Sequence, residues 1–177
     1  MRGGGAVHHI SLGTLKAISE DMVFWMQSLE PGKLLKTILL KDYHGFAKAR
    51  IPYNIVAKIL APHGITPEDV QAELVAVFTD LSQETHLHKE ARAFVIILGD
   101  AEHVSMPHDA YGFVGDLGWC KVAAGQRFDV PPNTPHTFTV RPGGVLYFLS
   151  VQTPPIERGG GDDYFLIPDQ PKTPAGG

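Results

Sequence analysis

Residues 125–136, GQRFDVPPNTPH, decide the fold of this 177-residue chain. The stretch begins with a turn at a glycine, continues as a short strand, and then enters a turn that three prolines stiffen. His136 opens the next run, TFTV (137–140), in which β-branched and aromatic residues favour an extended backbone. The stretch therefore predicts two strands joined by a rigid turn, with a histidine fixed at the start of the second strand.

Further short strands are predicted on both sides of this stretch. The chain has 19 glycines and 14 prolines, which become frequent after residue 99 and divide the sequence into short runs. Apolar or β-branched runs lie between these turn residues, at LVAVF (74–78), AFVIIL (93–98) and VLYFLSV (145–151), with weaker runs near 101–105, 111–114 and 119–122. About eight strands at this spacing indicate a mainly β domain, either a sandwich or a closed barrel.

A histidine pair precedes the second of these runs, within ETHLHKE (84–90). Alternate side chains of a strand share one face, so His86 and His88 point the same way and Leu87 points to the other side. Two neighbouring imidazoles form half of a metal site. The pair alone also fits two polar residues at the rim of an exposed strand.

The two stretches together resemble the motifs of the cupin superfamily, whose fold is a jelly-roll barrel (a double-stranded β-helix). The first cupin motif has a histidine pair, a carboxylate and a glycine that ends the hairpin, and the second has a glycine, a proline and a histidine. The matching positions are His86, His88 and Gly99 for the first motif, and Gly125, Pro131 and His136 for the second. Asn133 occupies a usual glycine position, and asparagine tolerates a left-handed backbone. The resemblance covers residues 73–153 and implies one divalent metal on His86, His88 and His136.

The chain departs from the family at the carboxylate ligand, because Arg92 stands at that position. An arginine has no lone pair to offer a metal. Glu90 has the same alternation as the two histidines, so it completes the ligand set if the strand continues without a bend. If the chain turns after His88, the site has three histidines only, and Arg92 is available to bind a substrate anion. We favour the second alternative, and we also expect Tyr147, or its neighbour Phe148, to line the pocket.

A three-histidine site is similar to that of the thiol dioxygenases among the cupins. This resemblance implies a dioxygenase-like oxidoreductase acting on a small polar or anionic substrate, with iron as the favoured metal. Zinc, nickel, manganese and copper also fit such ligands. A distant similarity to acireductone dioxygenase is weakened by the missing carboxylate. The alternative is a cupin without catalytic activity that binds a small anion or a sugar in the same pocket.

The region before the barrel is predicted to be a helical extension over residues 1–72. Apolar residues recur at helical spacing over 11–29, Ser11 is a suitable cap, and 53–60 forms a second short helix. The barrel is expected over 73–167 and a frayed tail over 168–177, within one domain.

Composition narrows the choice of partners and of compartment. The net charge is −4 and no basic patch is visible, which argues against nucleic acid and membrane surfaces. Cys120 is the only cysteine, so no internal disulfide forms, and we find neither a secretory signal nor an apolar run of membrane length. We therefore expect a cytoplasmic protein with a small-molecule ligand, and exposed sheet edges that allow a homodimer.

Overall fold

The structure, a computed structural model, describes residues 10–29, 41–43, 46–78, 84–98, 110–140, 145–157 and 161–167. Within these residues it contains two α-helices, α1 (Leu12–Ser28) and α2 (Tyr53–Leu60), and eleven strands. The strands are β1 (Lys41–Tyr43), β2 (Phe46–Arg50), β3 (Gln71–Phe78), β4 (His86–Leu87), β5 (Arg92–Leu98), β6 (Ala110–Val114), β7 (Trp119–Lys121), β8 (Arg127–Val130), β9 (His136–Val140), β10 (Val145–Thr153) and β11 (Phe165–Leu166). The predicted run at 101–105 and the tail at 168–177 lie outside the described residues.

The strands form two antiparallel sheets. The larger sheet has the order β1-β2-β3-β10-β5-β8, and the smaller has the order β11-β4-β9-β6-β7. Several neighbours, such as β3 with β10 and β4 with β9, are far apart in sequence, as they are in a jelly roll. The predicted mainly β jelly-roll fold is thus confirmed.

The larger sheet separates two apolar cores because its side chains alternate between its two faces. On one face, Phe94, Ile96 and Leu149 pack against the buried side of α1. On the other, Val95 and Phe148 face the smaller sheet. The space between the two sheets forms the second core, and the histidines lie next to it.

The N-terminal part has both of its predicted helices. The side chain of Ser11 accepts a hydrogen bond from the Thr14 amide and caps α1, and the short 3-10 helix after α2 ends at Gly64, whose φ is 67°. Strands β1 and β2 were not predicted, and β2 adds to the larger sheet beside β3. The helical extension expected over residues 1–72 therefore also contributes to the barrel. Among the described helices, none has the length and apolar character needed to cross a membrane.

Candidate metal centre and its cavity

Three histidines meet where the ends of two strands pair. His86 of β4 is the register partner of His136 of β9, and His88 follows two residues after His86. All three side chains are buried, and each places a ring nitrogen within 4.8 Å of the nitrogens of the other two. The rigid turn before β9 contributes to this arrangement, because Asn133 has a φ of 61° and its amide donates to the carbonyl of His88.

In each imidazole ring, the Nδ1 atom is hydrogen-bonded to a backbone carbonyl. The Nδ1 atoms of His86, His88 and His136 lie 2.8, 2.5 and 2.9 Å from the carbonyl oxygens of Glu84, Asp163 and Thr134 respectively. A carbonyl only accepts, so each Nδ1 carries the proton and donates it. The Nε2 atoms then hold the lone pairs, and fixing this tautomer is how proteins commonly orient metal-binding histidines.

Burial keeps the three rings neutral. It lowers the pKa of His136 to about 3, with a further contribution from His88. The pKa of His86 is lowered well below its ordinary value by burial and by the neighbouring histidines. The pKa of His88 is also lowered by burial, against the opposing effect of the Asp163 carbonyl and carboxylate. Neutral imidazoles are the form that binds a metal ion, so the protonation state fits this role.

The segment 161–167 crosses over the histidines and holds two of them. The Asp163 carboxylate accepts from the amides of Lys89, Glu90 and Ala91, which lowers its pKa against the effect of burial. The Tyr164 ring stacks on His86, with ring centroids 4.3 Å apart and an interplanar angle of 22°. Burial, and then the charge of Glu84, raise the pKa of Tyr164 to about 12. We call His86, His88, His136 and Tyr164 the histidine wall.

The histidine wall forms one side of a cavity of about 760 Å³. On the opposite side lies a group of polar residues that we call the polar wall: Lys48, Glu73, Ser150 and Gln152 of the larger sheet, and Glu157 of the segment after β10. The sheet residues share a face because Ser150 is the register partner of Glu73, while Lys48 of β2 is the register partner of Val75. Between the two walls the lining is apolar and includes Val75, Val95, Phe138 and Phe148.

The charges of the polar wall pair with one another. The Lys48 ammonium lies 3.2 Å from Glu73 Oε2 and 2.5 Å from Glu157 Oε1. Burial opposes the charge of Lys48, but the two carboxylates outweigh it and raise its pKa. Burial likewise acts against the charge of Glu157, but hydrogen bonds from Lys48 and Arg50 lower its pKa.

Three residues predicted from the sequence are not in the cavity lining. Strand β4 ends at Leu87 and the chain bends at residues 89–90, so the side chain of Glu90 is exposed and stands apart from the histidine cluster. Arg92 shares the outer face of β5 with Phe94, and its Nε lies 3.5 Å from Asp129 Oδ1. Tyr147 packs against the core beside α1, and its neighbour Phe148 lines the cavity instead. The position of Glu90 fits the alternative favoured above, a site of three histidines without a carboxylate. Arg92 and Tyr147, which were expected to bind the substrate, lie outside the cavity lining that the structure describes.

The polar wall and the segment 161–167 were not predicted from the sequence. A signal for the polar wall exists, because Glu73 and Gln152 interrupt strands that are otherwise apolar, at positions of the same alternation as cavity-facing neighbours. Asp163 and Tyr164 carry no comparable signal, because Asp163 lies 75 residues after His88 and both residues reach the histidines only through the fold.

The sequence matches no protein-family model and no curated protein. Solved structures do match. A protein from Planctomyces limnophilus has a TM-score of 0.53 and 12% identity, over 79% of this chain and 99% of that chain. The Lactobacillus farciminis oxalate decarboxylase formate complex has a TM-score of 0.50 and 14% identity, over 75% of this chain. Streptomyces PAC13 with uridine has a TM-score of 0.50 and 11% identity, over 78% of this chain and 91% of that chain.

The chain has the cupin fold. Likeness to structures at 11–14% identity shows the fold and leaves the activity open. The chain spans only 34% of the length of the oxalate decarboxylase. The narrower resemblance to thiol dioxygenases stays a prediction.

Proposed function

We propose that this cupin is a metal-dependent enzyme that holds one divalent ion on His86, His88 and His136 and acts on a small polar molecule in the adjoining cavity. The observation that carries the proposal is a hydrogen bond shared by all three buried, neutral imidazoles: each ring is fixed by a backbone carbonyl at Nδ1 and keeps its lone pair on Nε2. Three protein ligands leave further coordination positions open, which is the arrangement of catalytic sites rather than structural ones.

For the reaction class, we propose an oxidoreductase of the dioxygenase type, with iron as the metal. Three nitrogen ligands suit iron as well as zinc, nickel or copper. A bound iron ion would supply redox chemistry and a Lewis acid, while the protein holds the substrate in the adjoining cavity. The small polar ligands of two structural neighbours, formate and uridine, are consistent with a cavity of this size.

The test measures oxygen uptake by iron-loaded and by zinc-loaded protein in an oxygen electrode, for each member of a panel of small polar substrates. Zinc has no redox chemistry under these conditions and therefore controls for binding. We expect oxygen uptake with iron only, and incorporation of ¹⁸O from labelled oxygen into the product. Conversion of a substrate by the zinc form without oxygen uptake would contradict the dioxygenase assignment but support a metal-dependent enzyme.

A second candidate is a binding protein without catalytic activity. The polar wall favours it, because Gln152 Oε1 is buried in the cavity lining without a hydrogen-bond partner among the described residues and needs no metal to bind a ligand. Ligand binding of equal strength with and without metal, and no turnover with any metal, would support this candidate over the enzyme.

A further inference from the structure

The charged side chains that line the cavity, among the residues that the structure describes, are mostly negative. One of them is positive and four are negative: Lys48, Glu73, Glu84, Glu157 and Asp162. The Arg50 guanidinium, 2.6 Å from Glu157 Oε2, offsets one of the negative charges from outside the lining. Arg92, the residue expected to receive an anion, lies on the outer face of β5. The protein part of the cavity therefore repels anions.

The polar wall offers hydrogen-bond acceptors. Gln152 Nε2 donates to Ser150 Oγ at 2.6 Å and to Glu73 Oε1 at 3.3 Å. The Glu73 carboxylate only accepts, so it fixes the orientation of the amide and leaves Gln152 Oε1 without a hydrogen-bond partner among the described residues. Gln152 and Glu73 are each only 3% exposed, so an acceptor left without a partner there destabilises the protein unless something in the cavity donates to it.

The lining between the two walls suits a carbon skeleton. The Phe138 and Phe148 rings have centroids 4.8 Å apart, and both border the cavity together with Val75 and Val95. A ligand that fits these surroundings has hydroxyl donors along one edge and C–H groups on its faces.

We propose that the substrate is an uncharged polyhydroxy molecule, a sugar or polyol, whose hydroxyl groups donate to Gln152 Oε1 and to the Glu73 carboxylate. The proposal rests on the cavity being the substrate site of the enzyme proposed above. It replaces the expectation of an anionic substrate, because the group that would have received the anion faces away from the cavity.

The experiment measures binding to metal-free and to zinc-loaded protein by isothermal titration calorimetry. The probes are neutral sugars and polyols of about three to six carbons, each paired with its carboxylate or phosphate counterpart. We expect at least one neutral member to bind the metal-free protein about tenfold more tightly than its anionic counterpart. Equal or tighter binding of the anions, or no binding of any neutral member, would overturn the proposal.

Two variants connect the preference to the polar wall. Glu73→Gln removes one negative charge, so we expect the preference for the neutral member to fall about tenfold. Gln152→Leu removes the acceptor without changing the charge, and the neutral member should bind about fivefold more weakly, the effect of one hydrogen bond. Glu20→Gln is the matched control, because Glu20 pairs with Arg127 at an exposed site outside the cavity lining. A preference that neither variant changes would contradict the assignment to the polar wall.

Metal content is recorded for each protein, which separates this proposal from the proposed function. Without metal uptake in the wild type, the metal-dependent enzyme fails, while the metal-free titrations still test the polyhydroxy ligand. If both variants fail to fold, as judged by circular dichroism, the preference of the wild type decides the proposal.

Discussion

The two walls of the cavity bury their polar groups in different ways. On the histidine wall, each ring is held by a backbone carbonyl, so its orientation depends on main-chain positions and on the segment 161–167. On the polar wall, side chains hold one another, through the pairs of Lys48 with Glu73 and Glu157. The backbone partners fix the tautomer and the direction of each imidazole ring. The side chains of the polar wall instead determine the net charge of the described cavity lining, and Gln152 leaves an acceptor in that lining. We infer that the first wall is built to hold an ion and the second to select a ligand.

The largest effect is expected when the histidine wall loses a ligand. His136→Ala should weaken metal binding by at least about 100-fold, since changes in the surrounding shell alone often weaken it 10–100-fold. His86 and His88 alone share one segment and do not enclose an ion. The measurement is calorimetric titration of metal-free protein, with His63→Ala, an exposed histidine in the 3-10 helix after α2, as the matched control. A variant that binds metal like the wild type would show that the cluster is not the site.

The histidine wall should also make the stability of the metal-free protein depend on pH. The pKa values of His86, His88 and His136 are lowered in the folded state, so below about pH 6.5 the unfolded chain binds more protons. The free energy of unfolding should therefore be highest above pH 6.5 and fall as the pH decreases, by up to about 1.4 kcal/mol per pH unit for each histidine. For His136 the decline continues to about pH 3.

Urea unfolding of metal-free protein at pH 7.5, 6.5 and 5.5 measures this dependence. This range lies above the ordinary pKa of the acidic groups, including Asp163, so it isolates the histidines. The variant His136→Gln should show a smaller slope than the wild type. Constant stability between pH 7.5 and 5.5 would contradict the neutral, buried state of the cluster.

A smaller effect should follow from loosening the segment that supports the histidine wall. Asp163→Asn weakens the acceptors for the amides of residues 89–91, and the Asp163 carbonyl is what holds His88. We expect metal binding to weaken by about 10-fold, measured by the same titration. Glu90→Gln is the control, because it changes an exposed carboxylate on the same bend. A larger loss with Glu90→Gln than with Asp163→Asn would restore Glu90 as a ligand.

The smallest effect should come from Arg92, which belongs to neither wall. Its pair with Asp129 is about one third exposed, so Arg92→Ala should change the free energy of unfolding by no more than about 1 kcal/mol. Metal binding and ligand binding should match the wild type. Thermal unfolding and the two titrations measure this, and a clear loss of ligand affinity would return Arg92 to the substrate site.

The sequence predicts the histidine wall much better than the polar wall, for a physical reason. His86 and His88 stand two residues apart, so strand alternation places them on one face, and the turn residues before His136 place it at the start of a strand. That the two stretches meet was implied by their resemblance to the two cupin motifs. The chain bends at residues 89–90, as the favoured three-histidine alternative requires, and Glu90 is exposed there. Arg92 begins a new strand after the bend, so the face it occupies could not be predicted from the histidine pair. The polar wall depends on β2, β3 and β10 becoming neighbours, and the pairing of Lys48 with Glu157 joins residues 109 positions apart. No local pattern reports such a contact.

Whether the histidine cluster holds a metal is tested by the metal content of the wild-type protein, purified without chelators or added metal and measured by elemental analysis. We expect one transition-metal ion per chain, retained through gel filtration. Protein that contains no metal, and that takes up none when offered iron, zinc, nickel, manganese or copper, would contradict it.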